Sequence, residues 1–462
     1  MGRILPALDI ARARRRPGPP DHALARPRPD LAVGTDLLDK VDHIVVVMME
    51  NHSFDNYFGT LGRGDGLPPG TNNLSVTGRS VPSHHLERTT QLVGVPHQSW
   101  GSSHEQWNGG RNDGFVRNAE RQRKGVAGDD AMGYWTADDL PFYAGLARTF
   151  PLADRWFSSC LGPTFPNRRF LVAGTAHGLS SDELRKTIDR PANGTLFNLL
   201  DRHGISWVNY HSVSHGRALL GQAPGLHGLS SGRRLRVRLL KSRLTHTEGE
   251  VKSLLQFSAD AFPLGLFSYL GHIRSIKRFV TDAAAGSLPA VSIVDPDFGS
   301  TSEENPHDIV LGEAFASKVI NAVMHGKAWS KTLLIWCYDE HGGYYDHVAP
   351  PPAVEPDDIG PESGGMWRYD RYGFRVPAVI VSPYARPDYV SHVTHDHTSI
   401  LKLIETKWNL PPLTRRDAAA DDLLDSVDFD APPAFAEPPV LPEPALAAQN
   451  HAQVTGGDPT HR

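Results

Sequence analysis

With 462 residues, 39% of them hydrophobic, and a formal net charge of -5, the chain is too long for one small core and has no overall positive charge to argue for nucleic acid. No apolar run reaches the roughly 20 residues that a bilayer-spanning helix needs. Two cysteines against 23 histidines exclude a disulfide framework and favour proton transfer or metal chemistry.

In chain order, residues 1–38 read as a flexible Arg- and Pro-rich arm. Its arginines follow rather than introduce apolar residues, so no signal peptide is read. The expectation is a cytoplasmic protein, with a secreted or periplasmic one left open if the true start lies elsewhere. Residues 39–418 read as one domain. It begins with VDHIVVVMME, a continuous apolar and β-branched run of the kind covered on both faces in a parallel sheet. About 62–130 is rich in Gly, Pro, Asn, Ser and His and reads as an insertion of long loops and short helices. TADDLPFYAGLARTF is expected to be a helix capped by Thr136 or Asp138, LADRWFSS a strand, and NRRFLVAGTAHG a helix closed by Gly178. GTLFNLLDRHG (helix) leads into ISWVNYH (strand). About 212–260 is a second insertion. Its basic run, Ser231 to His246, is either a solvated insert or a surface drawn to anionic lipid or substrate. SIKRFVTDAAAG and DIVLGEAFASKVINAVMHG (helices) alternate with LPAVSIVDP and KTLLIWCYDE (strands). FRVPAVIVSPYA (strand) then precedes HTSILKLIETKWNL (helix). This alternation predicts an α/β fold with a mostly parallel central sheet and helices on both faces. Residues 419–462 form a Pro- and Ala-rich tail, extended or disordered. Cys337 lies inside a strand-like run and is expected to be a buried free thiol rather than a partner of Cys160.

Two of the strands share a design. IVVVMMEN and LLIWCYDE are full apolar runs that end in Glu50-Asn51 and Asp339-Glu340. Ligand sites in open α/β sheets lie beyond the carboxyl ends of the strands. Adjacent buried carboxylates cost several kcal/mol unless something positive compensates, and these hard oxygen donors suit Mg, Mn, Ca or Zn. The competing reading is that the acids cap the helices that follow. Two such ends in one chain favour the divalent cation. Gly342-Gly343 permits unusual backbone angles beside the second pair. Asp346-His347 adds a further ligand, or a carboxylate–imidazole pair that orients one.

SSCLGPTFPNRRF places Thr164 at a turn, near a helix expected to open at Asn167-Arg168. A helix N-terminus offers N–H groups to an anion, and Arg168 or Arg169 could hold a phosphoryl oxygen. A threonine hydroxyl needs a metal or an adjacent base to become a nucleophile; otherwise Thr164 merely caps the helix.

The blocks ENHSFDNYFG, GPTFPNR, DEHGGYYDHVAPP and HDHTSILKLIE, in this order, resemble the bacterial phospholipase C / acid phosphatase (phosphoesterase) family. That family includes the plant non-specific phospholipases C and lies within the alkaline-phosphatase-like superfamily. The likeness spans about Val41 to Asp417. It implies an alkaline-phosphatase-like fold and a metal-dependent phosphoesterase working through a phosphothreonine. Carried over motif by motif, it implies Thr164 as nucleophile and Glu50, Asn51, Asp339 and Glu340 as metal ligands. From HQSWGSSHEQWNGGRNDGF it implies His97, then His104, as the active-site imidazole, with Asn108 among the substrate-binding residues. From ENPHDIVLGEAF it implies His307. His397, in the DHTSI block, either reaches the site or packs beneath it. TFPNR also resembles the C-x-P-x-R element of type I sulfatases with Thr164 in the cysteine position, which implies phosphoryl rather than sulfate esters. The expected substrate is a phosphate ester, foremost a phospholipid at a membrane surface, with Trp100 and Trp107 either stacking on a choline cation or packing the loop. The alternatives are an acid phosphatase acting on monoesters and a phosphate- or lipid-binding protein without turnover.

Overall fold

A computed structural model describes residues 26–91, 96–182, 191–211, 270–365 and 367–446. The basic run from Ser231 to His246 lies outside them. An eight-stranded sheet forms the centre, built from β1 (His43–Met49), β2 (Leu152–Ala153), β3 (Trp207–His211), β4 (Ile273–Ser275), β5 (Val291–Asp295), β6 (Thr332–Tyr338), β7 (Ala378–Val381) and β8 (Val390–Ser391). Their order across the sheet is β8-β2-β7-β6-β1-β5-β3-β4. From β6 to β4 all neighbours are parallel; β7 runs antiparallel to β6 and to β2.

The two apolar runs singled out in the sequence, β1 and β6, are adjacent central strands, and Ile44–Met49 and Leu333–Tyr338 are fully buried. Each aliphatic side chain buried there contributes about 1.5–3 kcal/mol, as an upper estimate. The register pairs His43 with Thr332 and Met49 with Tyr338. Carried one and two residues further, it sets Glu50 beside Asp339 and Asn51 beside Glu340. A slip of one residue would turn every side chain to the opposite face.

Among the described residues ten helices accompany the sheet: α1 (Phe54–Phe58), α2 (Trp100–Trp107), α3 (Phe115–Gln122), α4 (Pro141–Thr149), α5 (Thr164–Ala173), α6 (Leu196–Arg202), α7 (Ile276–Ala285), α8 (Ile309–Met324), α9 (His397–Trp408) and α10 (Arg415–Ala419). α5 packs with α6 and α9, and α9 with α10, while α8 packs with α4 and α7; these are the layers of an α/β sandwich. Three elements depart from the sequence reading. LADRWFSS pairs as a strand only at Leu152–Ala153, because Trp156 and Phe157 are held by isolated bridges to His395 and Arg375. α4 starts at Pro141 rather than at Thr136 or Asp138, proline being suited to a first helical position and Thr136 being drawn into a turn with Asp139. α5 opens three residues early, at Thr164, since Pro166 in the first turn sacrifices no helical bond.

α5 also closes at Gly174 (φ +68°), not Gly178. A Cβ on Gly174 would sit 2.7 Å from both Asp417 Oδ1 and Thr414 Oγ1. Gly174→Ala is therefore expected to cost about 1–3 kcal/mol from the left-handed backbone and the clash together, read as a lower denaturant midpoint.

Residues 26–38 lie along the end of α9: Gly34 N–H donates to Trp408 O at 2.9 Å, and Lys407 Nζ donates to Asp36 at 2.7 and 2.8 Å. Beyond α10 the chain is mostly irregular, yet it buries Leu423, Val427 and Ala445. Cys160 and Cys337 are both buried free thiols. Among the described residues no helix is long and apolar enough to cross a membrane.

Candidate active site

The register of β1 and β6 builds the site. Glu50, Asn51, Asp339 and Glu340 are buried at the carboxyl ends of the two strands. Asn51 Nδ2 donates to Glu340 Oε1 and lies 3.3 Å from Thr164 Oγ1. Thr164 is the first residue of α5 and is itself buried. The sequence expectation that a helix N-terminus opens at this point holds in part. The Phe165 N–H, one of those an anion would use, already donates to Asp182 Oδ1 at 2.8 Å.

One turn on from Thr164, on the same helix face, Arg168 enters the acids. Its Nε donates to Asp339 Oδ2 at 2.7 Å, Nη1 to Asp295 Oδ1 at 2.9 Å, and Nη2 to the carbonyls of Met48 and Met49 at 3.1 and 3.2 Å. Nε also lies 3.6 Å from Glu50 Oε1. Against the expectation that Arg168 holds a phosphoryl oxygen, its hydrogen bonds go to the protein's own carboxylates and carbonyls. Burial lowers the guanidinium's proton affinity, but Asp339, Glu50 and Asp295 together more than restore it.

Three buried carboxylates, Glu50, Asp295 and Asp339, thus face the buried Arg168 guanidinium, and a fourth, Glu340, is buried next to Asp339. Burial pushes Asp339 up against the pull of Arg168, and pushes Glu340 up further with the help of Asp339. Asn51 Oδ1 is buried without a hydrogen-bond partner among the described residues. Excess negative charge, hard oxygen donors and an orphaned amide oxygen are what a divalent cation would satisfy, so the residues present fit one.

The imidazoles stand around this cluster by separate routes. His97 is half-buried, with Nδ1 3.1 Å from Ser102 Oγ, and burial lowers its pKa. Its backbone lies under Gly343 (φ +81°), where a Cβ would meet His97 N at 2.6 Å; on Gly342 (φ +65°) a Cβ would meet Asn51 O at 2.0 Å. The glycine pair is what lets the loop after Glu340 cross both residues. His307 has Nδ1 3.2 Å from Ser302 Oγ, and Ser302 O accepts the Glu50 N–H at 2.9 Å. His104 donates from Nδ1 to Trp100 O at 2.7 Å and is lowered to about 4 by burial. Its ring stacks on Trp367 at 4.2 Å. Trp100 in turn lies over Gly162, where a Cβ would come within 3.0 Å of the indole. His397 sits beneath the acids, its Nε2 donating to Asp339 O at 2.7 Å.

Two participants escaped the sequence reading. Asp295 ends β5 as the other acids end their strands, so LPAVSIVDP carried the same signal. His341 follows Glu340 directly, with Nδ1 3.3 Å from Glu340 Oε2 and Nε2 2.7 Å from Gln106 Oε1.

Three further expected residues have their own partners. Asn108 is the left-handed cap of α2 (φ +42°), its amide donating to Asp113 Oδ1 at 2.6 Å. Asp346 and His347 join Asp55: Arg375 donates to Asp346 Oδ1 and Asp55 Oδ1, each at 2.9 Å, and His347 Nδ1 lies 2.8 Å from Asp55 Oδ2. Burial pushes Asp346 up to about 6, and burial lowers His347 but Asp55 more than reverses it. Ligand atoms of Asp55, Asp346 and His347 lie within 4.8 Å of one another, a grouping able to hold a metal ion, although Arg375 already supplies its positive charge. Among the described residues, no hydrogen bond of Asp346 or His347 reaches Thr164 or the acids at the strand ends.

A family model described as the phosphoesterase family matches residues 41–411. Phospholipase C B of Mycobacterium tuberculosis (strain CDC 1551 / Oshkosh) is 31% identical over 445 residues, covering 87% of this chain and 80% of its own. Non-specific phospholipase C1 of Arabidopsis thaliana is 29% identical, covering 82% of this chain and 69% of its own. Among solved structures, a protein in the alkaline phosphatase superfamily from Vibrio parahaemolyticus aligns over 90% of this chain and 77% of its own, with TM-score 0.39 and 9% identity.

Proposed function

We propose, from the premise that the chain belongs to the phosphoesterase family and is a phosphoric ester hydrolase, that it cleaves the phosphodiester of a phospholipid in the manner of a phospholipase C, through a covalent phosphothreonine at Thr164. The observation that carries this reading is the Thr164 hydroxyl 3.3 Å from the Asn51 amide, at the paired strand ends that bear Glu50, Asp339 and Glu340. Relatives named phospholipase C support the choice of a diester.

In this mechanism Asn51 orients Thr164 Oγ1, which attacks phosphorus as its proton passes to one of His97 and His307. The bond from phosphorus to the glycerol oxygen breaks, and the other imidazole, protonated beforehand, gives that oxygen its proton. Each imidazole is steadied through Nδ1 by a serine hydroxyl. Water then breaks the Thr164–phosphorus bond, releasing the phosphorylated head group and restoring the hydroxyl. Arg168 keeps Asp339 in place beneath the reacting group. Glu50, Asn51, Asp339 and Glu340 would hold a divalent cation, which would supply Lewis acidity beside the Thr164 hydroxyl.

Hydrolysis of p-nitrophenyl phosphorylcholine against p-nitrophenyl phosphate, each with and without chelator, tests the reading. The diester is expected to be preferred and both rates to collapse on chelation. Preference for the monoester would reject the phospholipase assignment and leave the chemistry standing. Rates indifferent to chelation would remove the metal from the mechanism.

A further inference from the structure

Glu303 lies within none of the motifs that define the site, yet it is anchored by five hydrogen bonds. Its carboxyl is completely buried and accepts from three phenols: Tyr143 OH to Oε1 at 2.6 Å, Tyr57 OH to Oε2 at 2.6 Å, and Tyr338 OH to Oε2. The tyrosines come from α4, α1 and β6, so one side chain ties three elements together. Its carbonyl accepts from Gln91 Nε2 at 2.6 Å and from His52 Nε2 at 3.1 Å. Its backbone is left-handed, φ +73°, a conformation that costs a non-glycine residue about 1–2 kcal/mol and persists only where the surroundings enforce it. α8 makes room for the side chain at Gly312, where a Cβ would meet Glu303 Oε1 at 2.1 Å.

What this anchoring controls lies on either side. The preceding residue, Ser302, takes the Glu50 N–H on its carbonyl at 2.9 Å and meets His307 Nδ1 with its hydroxyl at 3.2 Å. Gln91 Nε2, which holds the Glu303 carbonyl, also donates to His307 O at 3.0 Å. Glu50 and His307 are therefore set relative to each other through one short segment, and that segment is pinned by Glu303. An apolar side chain would fill the same space without desolvating a carboxyl, but it could not hold the backbone in this conformation.

We infer that Glu303 is a positioning residue for phosphoester hydrolysis: caged by Tyr57, Tyr143 and Tyr338, it fixes the Ser302–His307 segment so that His307 is held in register with Glu50. The inference rests on the proposed role of His307, and the experiment separates the two. In Glu303→Met the phenols lose their acceptor and the segment its anchor. kcat on p-nitrophenyl phosphorylcholine is expected to fall by about 10- to 100-fold, the scale of a reacting group misplaced by an ångström, with KM within about twofold. Glu303→Gln, which keeps an acceptor oxygen in the cage, is expected to recover most of kcat. Gln91→Met cuts both carbonyl bonds without touching the cage, so it reports even if Glu303→Met does not fold, and it is expected to show the same kcat-specific loss. In a His307→Ala background neither substitution is expected to lower kcat further, since residues acting as a unit are not additive. Parent kcat in Gln91→Met or in folded Glu303→Met, or full additivity with His307→Ala, would overturn the positioning role alone. Parent kcat in His307→Ala itself would overturn both this inference and the proposed role of His307.

Discussion

Thr164→Ala is expected to lower kcat by about 10³-fold or more while leaving the protein folded. In the proposed mechanism this substitution takes away the covalent route, and what remains is the positioning and electrostatic stabilisation given by the surrounding groups. The fold has little reason to respond. Thr164 is the first residue of α5, has no side-chain capping bond to lose, and hands over to alanine, a better helix former. The unfolding midpoint should therefore move little while turnover disappears. Thr164→Ser keeps the hydroxyl near the Asn51 amide and should retain activity within about tenfold of the parent. Acid quenching during turnover, followed by mass analysis of the peptide that contains residue 164, should show a phosphoryl adduct in the parent and none in Thr164→Ala. Parent-like turnover in Thr164→Ala would end the covalent mechanism.

The parts of this molecule legible in the sequence are those whose cause is local. A run such as IVVVMM admits a doubly covered strand and little else, and its polar end marks where a parallel sheet opens to a ligand. The partnership of Asn51 with Glu340 was not legible, because it depends on which strand pairs with β1 and in which register. Residue type misled for Arg168. Its charge and its place after a threonine turn fit phosphate as well as carboxylate, and only the proximity of Asp295 and Asp339 decides between them. For Asp346-His347 the neighbours were not legible: Arg375, which claims Asp346, stands 29 residues further on. The end of α5 was misjudged because Gly174 and Gly178 are both left-handed glycines. Nothing within the helix says that Thr414 and Asp417, arriving from far down the chain, close over the first of them.

Arg168→Met separates the two roles that its sequence allows. If Arg168 bound substrate, the variant would raise KM and leave the unfolding midpoint unchanged. In the arrangement found, methionine fills part of the space but takes away the guanidinium that Glu50, Asp295 and Asp339 face. Breaking a buried pair by removing one partner costs about 3–5 kcal/mol, so the chelator-treated variant should unfold at a clearly lower denaturant concentration than the chelator-treated parent. Arg168→Lys should fall between them. A point-like ammonium cannot reproduce the fork that reaches Asp339 through Nε and Asp295 through Nη1. Added divalent cation should raise the midpoint of parent and variant alike, because any ligand that binds only the native state stabilises it by mass action. The difference between parent and Arg168→Met should narrow as cation is added, since a second source of positive charge then faces the same carboxylates. An unchanged midpoint in chelator-treated Arg168→Met would return Arg168 to the role of a substrate ligand and remove the charge-balance case for a cation at the strand ends.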